Sequence, residues 1–286
     1  YVHTVTKSEH ALSMEVMLTA AHHGASLIID AIDPVGTLDA RVYDRIGKVF
    51  EMQMPYEKWM GKGELIADIG VLFDTTAKHG RKGWNHSNRD CALNTVKTLT
   101  ESHIPVTVLS LGNIQKINGF IAVFASDIVD ISESTADKLI DYVYGGGTLY
   151  FSGRANDKIL KALLNAEFVK MTDETITYIA PLEEYGHIFE EFNRKYPLHC
   201  EYSQPVLKLT DSEGVLATLT LPYTKPNEDR FASIHSNPPG RATQYPAFMV
   251  KNCGKGRVVW SGAPIENESR SNYKDIIKNV IKYLIP

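Results

Sequence analysis

The residues best placed to do chemistry lie in the stretch GGGTLYFSGRAN, residues 145–156. Ser152 closes an apolar run and is followed by Gly153, so it stands where a strand hands over to a helix. In open parallel sheets, active sites lie along the carboxyl edge of the strands. A serine there becomes a nucleophile when a neighbouring base takes its proton. His187, His199 and His235 lie downstream as candidates for that base. The flanks do not match the G-x-S-x-G elbow, because Tyr150 and Phe151 occupy the places before the serine. Two readings therefore stand: a serine hydrolase or amidohydrolase using Ser152, or a serine at the polar end of a structural strand. The glycines at 145–147 follow a helical pattern and precede a strand, the reverse of a phosphate-binding loop. They read as a helix stop and a tight turn.

Other polar groups give weaker signals. RKGWNHSNR sets Trp84 among Arg81, Lys82, His86 and Arg89. Such a loop can stack on a sugar, as in a carbohydrate-binding module, or contact a subunit, or simply be solvated. His22 and His23 are adjacent in a helical pattern and point apart. His79, His86 and His103 lack the spacing of a zinc site, and Cys91, Cys200 and Cys253 form neither a CxxC knuckle nor a disulfide framework. The sequence therefore calls for no metal and no cofactor. SIHSNPPGRATQYPA reads as a long loop reaching toward a neighbouring domain or subunit.

The elements that must position these residues follow from periodicity. SEHALSMEVMLTAAHHGA reads as a helix, SLIIDAIDP as a short buried strand, and GTLDARVYDRIGKVFEMQM as an amphipathic helix. In the last, Val42, Ile46, Val49 and Phe50 fall on one side. Breakers at Pro55, Gly61 and Gly63 mark a connector. Strands then alternate with helices: IADIGVLFD, CALNTVKTLTESH, IPVTVLSL, GFIAVFAS, a helix capped by Ser132, GTLYFSG and NDKILKALLNAEF. This alternation predicts a parallel sheet with helices on both faces. From about Val169 to Val250 the β-branched runs TITYIA, PVLKL and VLATLTL, parted by turn residues, predict added antiparallel strands. GKGRVVWSG and NYKDIIKNVIKYLI close the chain as strand and helix.

The 286 residues are 43% apolar and 22% charged, an ordinary globular balance. A net charge of −4 without a long basic run gives no reason to expect a nucleic-acid partner. No stretch of 18 apolar residues is present, so no membrane partner is expected. The opening YVHTVTKSEH has neither Met nor an apolar leader, which predicts an excised piece of a longer protein.

KLIDYVYGGGTLYFSGRA resembles the segment of class I glutamine-amidotransferase-like domains that leads a helix, through glycines, into the nucleophile strand. That superfamily carries a cysteine on the elbow; Ser152 occupies the matching position here. The resemblance implies a flavodoxin-like fold without amidotransferase activity. Degenerate domains of this kind follow the barrel of bacterial β-galactosidases, where they help form trimers. GRVVWSGAPIE is similar to the last core strand of those domains. AAHHGASLIIDAIDPVGTLDARVYDRIGKVFE resembles the final helix–strand–helix of a (β/α)8 barrel in glycoside hydrolases of the α-amylase or α-fucosidase kind. Asp30 and Asp33 would then stand at the mouth of the barrel, where they could bind sugar hydroxyls. Otherwise Asp33 sets an Asp-Pro turn and Asp30 caps a loop.

The resemblances imply residues 1–62 as the end of a barrel plus a linker, and residues 63–286 as a trimerisation-type domain. The implied partners are a homo-oligomer, a trimer by analogy, and a carbohydrate bound through the parent barrel. A barrel takes about 250 residues, and only about 50 barrel-like ones are present. Paired carboxylates about 5–9 Å apart, which glycoside hydrolysis needs, would come from other strand ends. The chain alone is expected to be inactive.

Overall fold

A computed structural model describes residues 6–74, 87–126, 128–230, 237–268 and 270–285. It divides into two compact units, Tyr1–Leu65 and Ile66–Pro286.

The first unit holds two helices. α1 (Glu9–Ala21) starts at Ser8, whose side chain accepts from the N–H of Ala11, and α2 (Ala40–Gln53) starts at Asp39, which accepts from the N–H of Arg41. These caps satisfy N–H groups that the first turn leaves open. The apolar stripes meet through Leu12, Val16 and Val49, with Ile28 packed against them. Val42 and Ile46 are half-buried beside Val49, while Phe50 is largely outside.

The expected buried strand at SLIIDAIDP is corrected by the structure. Residues 24–32 have no regular secondary structure and pair with no strand. Their burial does alternate: Ser26, Ile28 and Asp30 are half-buried, whereas Leu27 and Ile29 are each 83% exposed. That two-residue period is a strand's. A strand also needs a neighbour for its N–H and C=O groups, and the described residues of this unit supply none.

The second unit is built on a nine-stranded sheet. The strands are β1 (Ile69–Phe73), β2 (Val106–Ser110), β3 (Ala122–Ser126), β4 (Thr148–Ser152), β5 (Ala166–Met171), β6 (Thr177–Pro181), β7 (Leu198–Cys200), β8 (Pro205–Leu209), β9 (Val215–Pro222), β10 (Pro239–Cys253) and β11 (Gly256–Ser261). The sheet order is β2-β1-β3-β4-β11-β10-β9-β6-β7, and β5 pairs with β8 in a separate ribbon. The first five strands in that order are parallel, and from β11 onward each pair is antiparallel.

Helices cover both faces, because successive strand residues point opposite ways. Val71, Phe124, Tyr150 and Val259 pack with α3 (Ser87–Glu101) through Leu99. Leu72, Val123, Phe151 and Trp260 pack on the other face with α4 (Glu133–Gly145) through Ala136, Leu139 and Val143. β4 is buried at every residue, as a central parallel strand must be. α4 begins at Ser132, which accepts from the N–H of Thr135, and ends at Gly146 with φ +125°, a backbone angle that favours glycine. The helix expected over NDKILKALLNAEF is shorter than its pattern. α5 (Asp157–Ile159) widens into a π-helical turn over Leu160–Leu164. Asn165 at φ 52° then breaks it, and Ala166, Glu167 and Phe168 join β5. The short α6 (Gly186–Phe189) and the closing α7 (Ser271–Leu284) complete the face that α3 covers, with Phe189, Tyr273, Ile276 and Val280 buried.

Candidate functional site

Four of the five parallel strands end in serine at the carboxyl edge, β2 at Ser110 and three others at buried serines. Ser126, Ser152 and Ser261 end β3, β4 and β11 and lie in register with one another. All three are buried. Ser152 and Tyr150 are two residues apart on one strand, so they face the same side. On that side stands Glu266, carried by the 3-10 turn Ile265–Asn267 that follows β11. Tyr150 donates its phenolic hydrogen to Glu266 Oε2 at 2.8 Å, and Ser152 donates its hydroxyl hydrogen to Oε1.

The surrounding loops hold this arrangement shut. The Gly153 N–H donates to the Ser261 carbonyl at 2.8 Å, and Trp260 Nε1 donates to the Gly153 carbonyl at 2.9 Å. Asn94 on α3 donates to Asn267 Oδ1 at 2.9 Å, and Asn267 donates to the Tyr202 hydroxyl at 2.8 Å. Ser152 is 1% exposed and Glu266 4%.

Burial pushes the Glu266 carboxyl up to about 7, although the hydrogen bonds from Ser152 and Tyr150 pull it back toward the ordinary range. The Tyr150 phenol is held well above its ordinary value by burial and by the adjoining carboxyl. The cluster can hold a proton among four oxygens. Among the described residues it offers no open face to a substrate.

The histidines lie elsewhere. His187 stands edge-on to Tyr283, and His199 edge-on to Tyr178. His235 lies outside the described residues. The group facing Ser152 is thus a carboxyl that sequence reasoning did not single out. GAPIEN follows the last strand 114 residues beyond Ser152, and no spacing links the two. The available hint was Thr148-x-Tyr150-x-Ser152, three hydroxyls on one side of a buried strand.

Asp30 and Asp33 line a concavity of about 710 Å³ in the first unit, together with Asp39 and Arg41. They are placed differently. Asp33 closes a turn: its N–H donates to the Thr37 carbonyl at 2.9 Å, and its Oδ2 accepts from the Thr37 hydroxyl at 3.3 Å. Asp30 Oδ2 is sealed from water with no hydrogen-bond partner among the described residues. Trp84 and the loop around it lie outside the described residues.

The architecture can be matched to known proteins through solved structures. An α-L-fucosidase, isoenzyme 2 from Paenibacillus thiaminolyticus, superposes with a TM-score of 0.72 at 19% identity, over 98% of this chain and 42% of that one. The chain shares its fold with part of a glycoside hydrolase. The β-galactosidase of Bacillus circulans sp. alkalophilus gives a TM-score of 0.68 at 13% identity, over 98% of this chain and 43% of its own. The cold-adapted β-galactosidase of Rahnella sp. R3 gives 0.65 at 17% identity, over 99% and 43%. The chain spans about two-fifths of the length of these enzymes. No family model and no curated protein matches it. At these identities the likeness is one of fold, and it runs through both units.

Proposed function

We propose that this chain is the non-catalytic part of a glycoside hydrolase, serving oligomer assembly and lending a wall to the sugar site. In this reading residues 1–62 are the closing helix–strand–helix of a (β/α)8 barrel with its linker. Residues 63–286 are a flavodoxin-like domain of the amidotransferase-like, trimerisation type. The strand order β2-β1-β3-β4-β11 is the doubly wound order that supports the flavodoxin-like assignment.

The observation that carries the reading is the carboxyl edge at β4, closed among the described residues. Where such sheets hold a nucleophile and its base, this one holds Ser152 against Glu266, both buried. The exposed apolar side chains of the first unit support the barrel assignment. Leu27 and Ile29 stand in solvent on a segment with a strand's alternation, and strands on either side would bury them. Asp30 is the freer of the two carboxylates to turn toward a sugar hydroxyl, since its Oδ2, sealed in this structure, has no partner among the described residues while Asp33 is engaged in its turn.

Light scattering on a longer natural polypeptide that contains these residues tests the assembly role. A homo-oligomer, trimeric by analogy with the β-galactosidase domains, is the expected result; a strict monomer sinks it. Turnover of nitrophenyl glycosides by the 286-residue chain alone at an enzyme-like rate would sink the non-catalytic assignment.

A further inference from the structure

A second cavity, of about 450 Å³, opens in the antiparallel half of the second unit. It lies between the β5–β8 ribbon and strands β9 and β10, and its size falls within the range of small-molecule sites. Its floor is apolar, with Val206 and Leu219 buried. At its wall Glu174, 8% exposed, accepts from Arg241 Nη2 at Oε1. Arg241 Nε donates to the Pro222 carbonyl at 2.9 Å, so the guanidinium is fixed from two sides. The Glu174 backbone is fixed too, since its carbonyl accepts from the Thr172 and Ser203 hydroxyls at 3.0 and 2.8 Å.

Glu174 Oε2 and Arg241 Nη1 have no hydrogen-bond partner among the described residues. The pair therefore keeps one unengaged acceptor and one unengaged donor on partners already fixed to each other. Tyr245, 45% exposed, supplies an aromatic ring to the same cavity. Glu174 pairs with Arg241, and Asp173 with Lys170 at 3.0 Å, while Lys225 adds one further cation to the lining.

We propose that this cavity binds a neutral, hydroxyl-rich ligand, a saccharide unit, with Tyr245 on the apolar face of the ring and the Glu174–Arg241 pair bridging adjacent hydroxyls. Each hydroxyl both donates and accepts, so neighbouring hydroxyls match an adjacent acceptor and donor. Bonds to ionised groups are the stronger kind, and the pair is already ordered before the ligand arrives. Four of the five lining charges are paired, so a charged ligand has only Lys225 to gain from. The lining of this cavity contains no residue of the first unit, and the proposal does not depend on the assembly role.

The test is titration of the 286-residue chain with methyl β-D-galactopyranoside and methyl α-L-fucopyranoside, followed by calorimetry and amide chemical shifts. At least one probe should bind saturably, with shifts at β5 and β10. Tyr245→Ala, at an exposed position, should weaken it roughly three- to tenfold with near-UV circular dichroism unchanged. Glu174→Gln should weaken it as well. The proposal is overturned if neither probe saturates, or if Tyr245→Ala binds like the parent. It is also overturned if only galacturonate binds and Lys225→Ala abolishes that binding, since the site would then be one for anions. Oligomeric state does not enter these titrations, so either proposal can fail without the other.

Discussion

Ser152 donates its hydroxyl hydrogen to Glu266, a residue 114 positions further along the chain, and neither side chain reaches solvent. Folding therefore brings a carboxyl into the sheet edge beside two hydroxyls and, among the described residues, without a counter-charge. Its ionisation becomes a property of the fold.

The sign of the resulting pH dependence follows directly. The Glu266 carboxyl rises from 4.5 to about 7 on folding, so the fold prefers its neutral form. As pH climbs from about 4.5 to about 7, the unfolded chain ionises this group while the native one resists, and stability falls. Above about 7 the loss levels off, at roughly 3 kcal/mol for that shift. Urea midpoints measured across this range should decline for the parent chain. In Glu266→Gln the slope from this group should vanish. An unchanged slope in the variant would show that Glu266 is not the buried titrating group.

Removing one hydroxyl separates structure from chemistry. Ser152→Ala leaves Glu266 Oε1 without its donor and should cost about 1–3 kcal/mol in denaturant unfolding. The native chain should not react with a fluorophosphonate probe, because Ser152 is 1% exposed. Labelling of the native protein that disappears in Ser152→Ala would mean that the edge opens and that Ser152 is a working nucleophile.

How much of this was legible depended on whether the signal was local. α4 could be read from Ser132 to its glycine stop because caps and period sit within one helix. The parallel strands could be read because both of their faces are apolar. The Ser126–Ser152–Ser261 row could not, since register is set by pairing between strands distant in sequence. Glu266 was hidden for the same reason. The helix over NDKILKALLNAEF was read too long, because Asn165 tolerates a left-handed turn that ends it and sends Phe168 to the β8 ribbon. At SLIIDAIDP the pattern was a strand's, but pattern alone supplies no hydrogen-bonding neighbour.

The turn before β4 gives a packing prediction. A Cβ at Gly147 would lie 2.2 Å from the ring of Tyr142, whose hydroxyl donates to the Phe120 carbonyl at 3.0 Å. Gly147→Ala must displace that ring and should destabilise the second unit by about 1–3 kcal/mol. Adding Tyr142→Phe keeps the ring and its clash but removes the tether, so the two changes should not be additive. Thermal unfolding of the single and double variants reads this directly; strict additivity would mean that the ring is free to move aside without cost.

The first unit makes the sharpest prediction about context. Among the described residues its buried side chains are Leu12, Val16, Ala20 and Val49, while Leu27, Ile29, Ile32 and Val35 are each more than two-thirds exposed. A core of that size rarely holds a unit of this length without further support. In the 286-residue chain, backbone amides of residues 24–32 should exchange within the dead time of a hydrogen-exchange experiment, because no strand pairs with them. Proteases should cut the same segment first and leave the second unit whole. In a longer polypeptide that supplies flanking strands, both effects should be suppressed together, since pairing protects amides and buries Leu27 and Ile29 at once. If exchange and cleavage there were as fast in the longer protein as in this chain, residues 24–32 would not be a barrel strand.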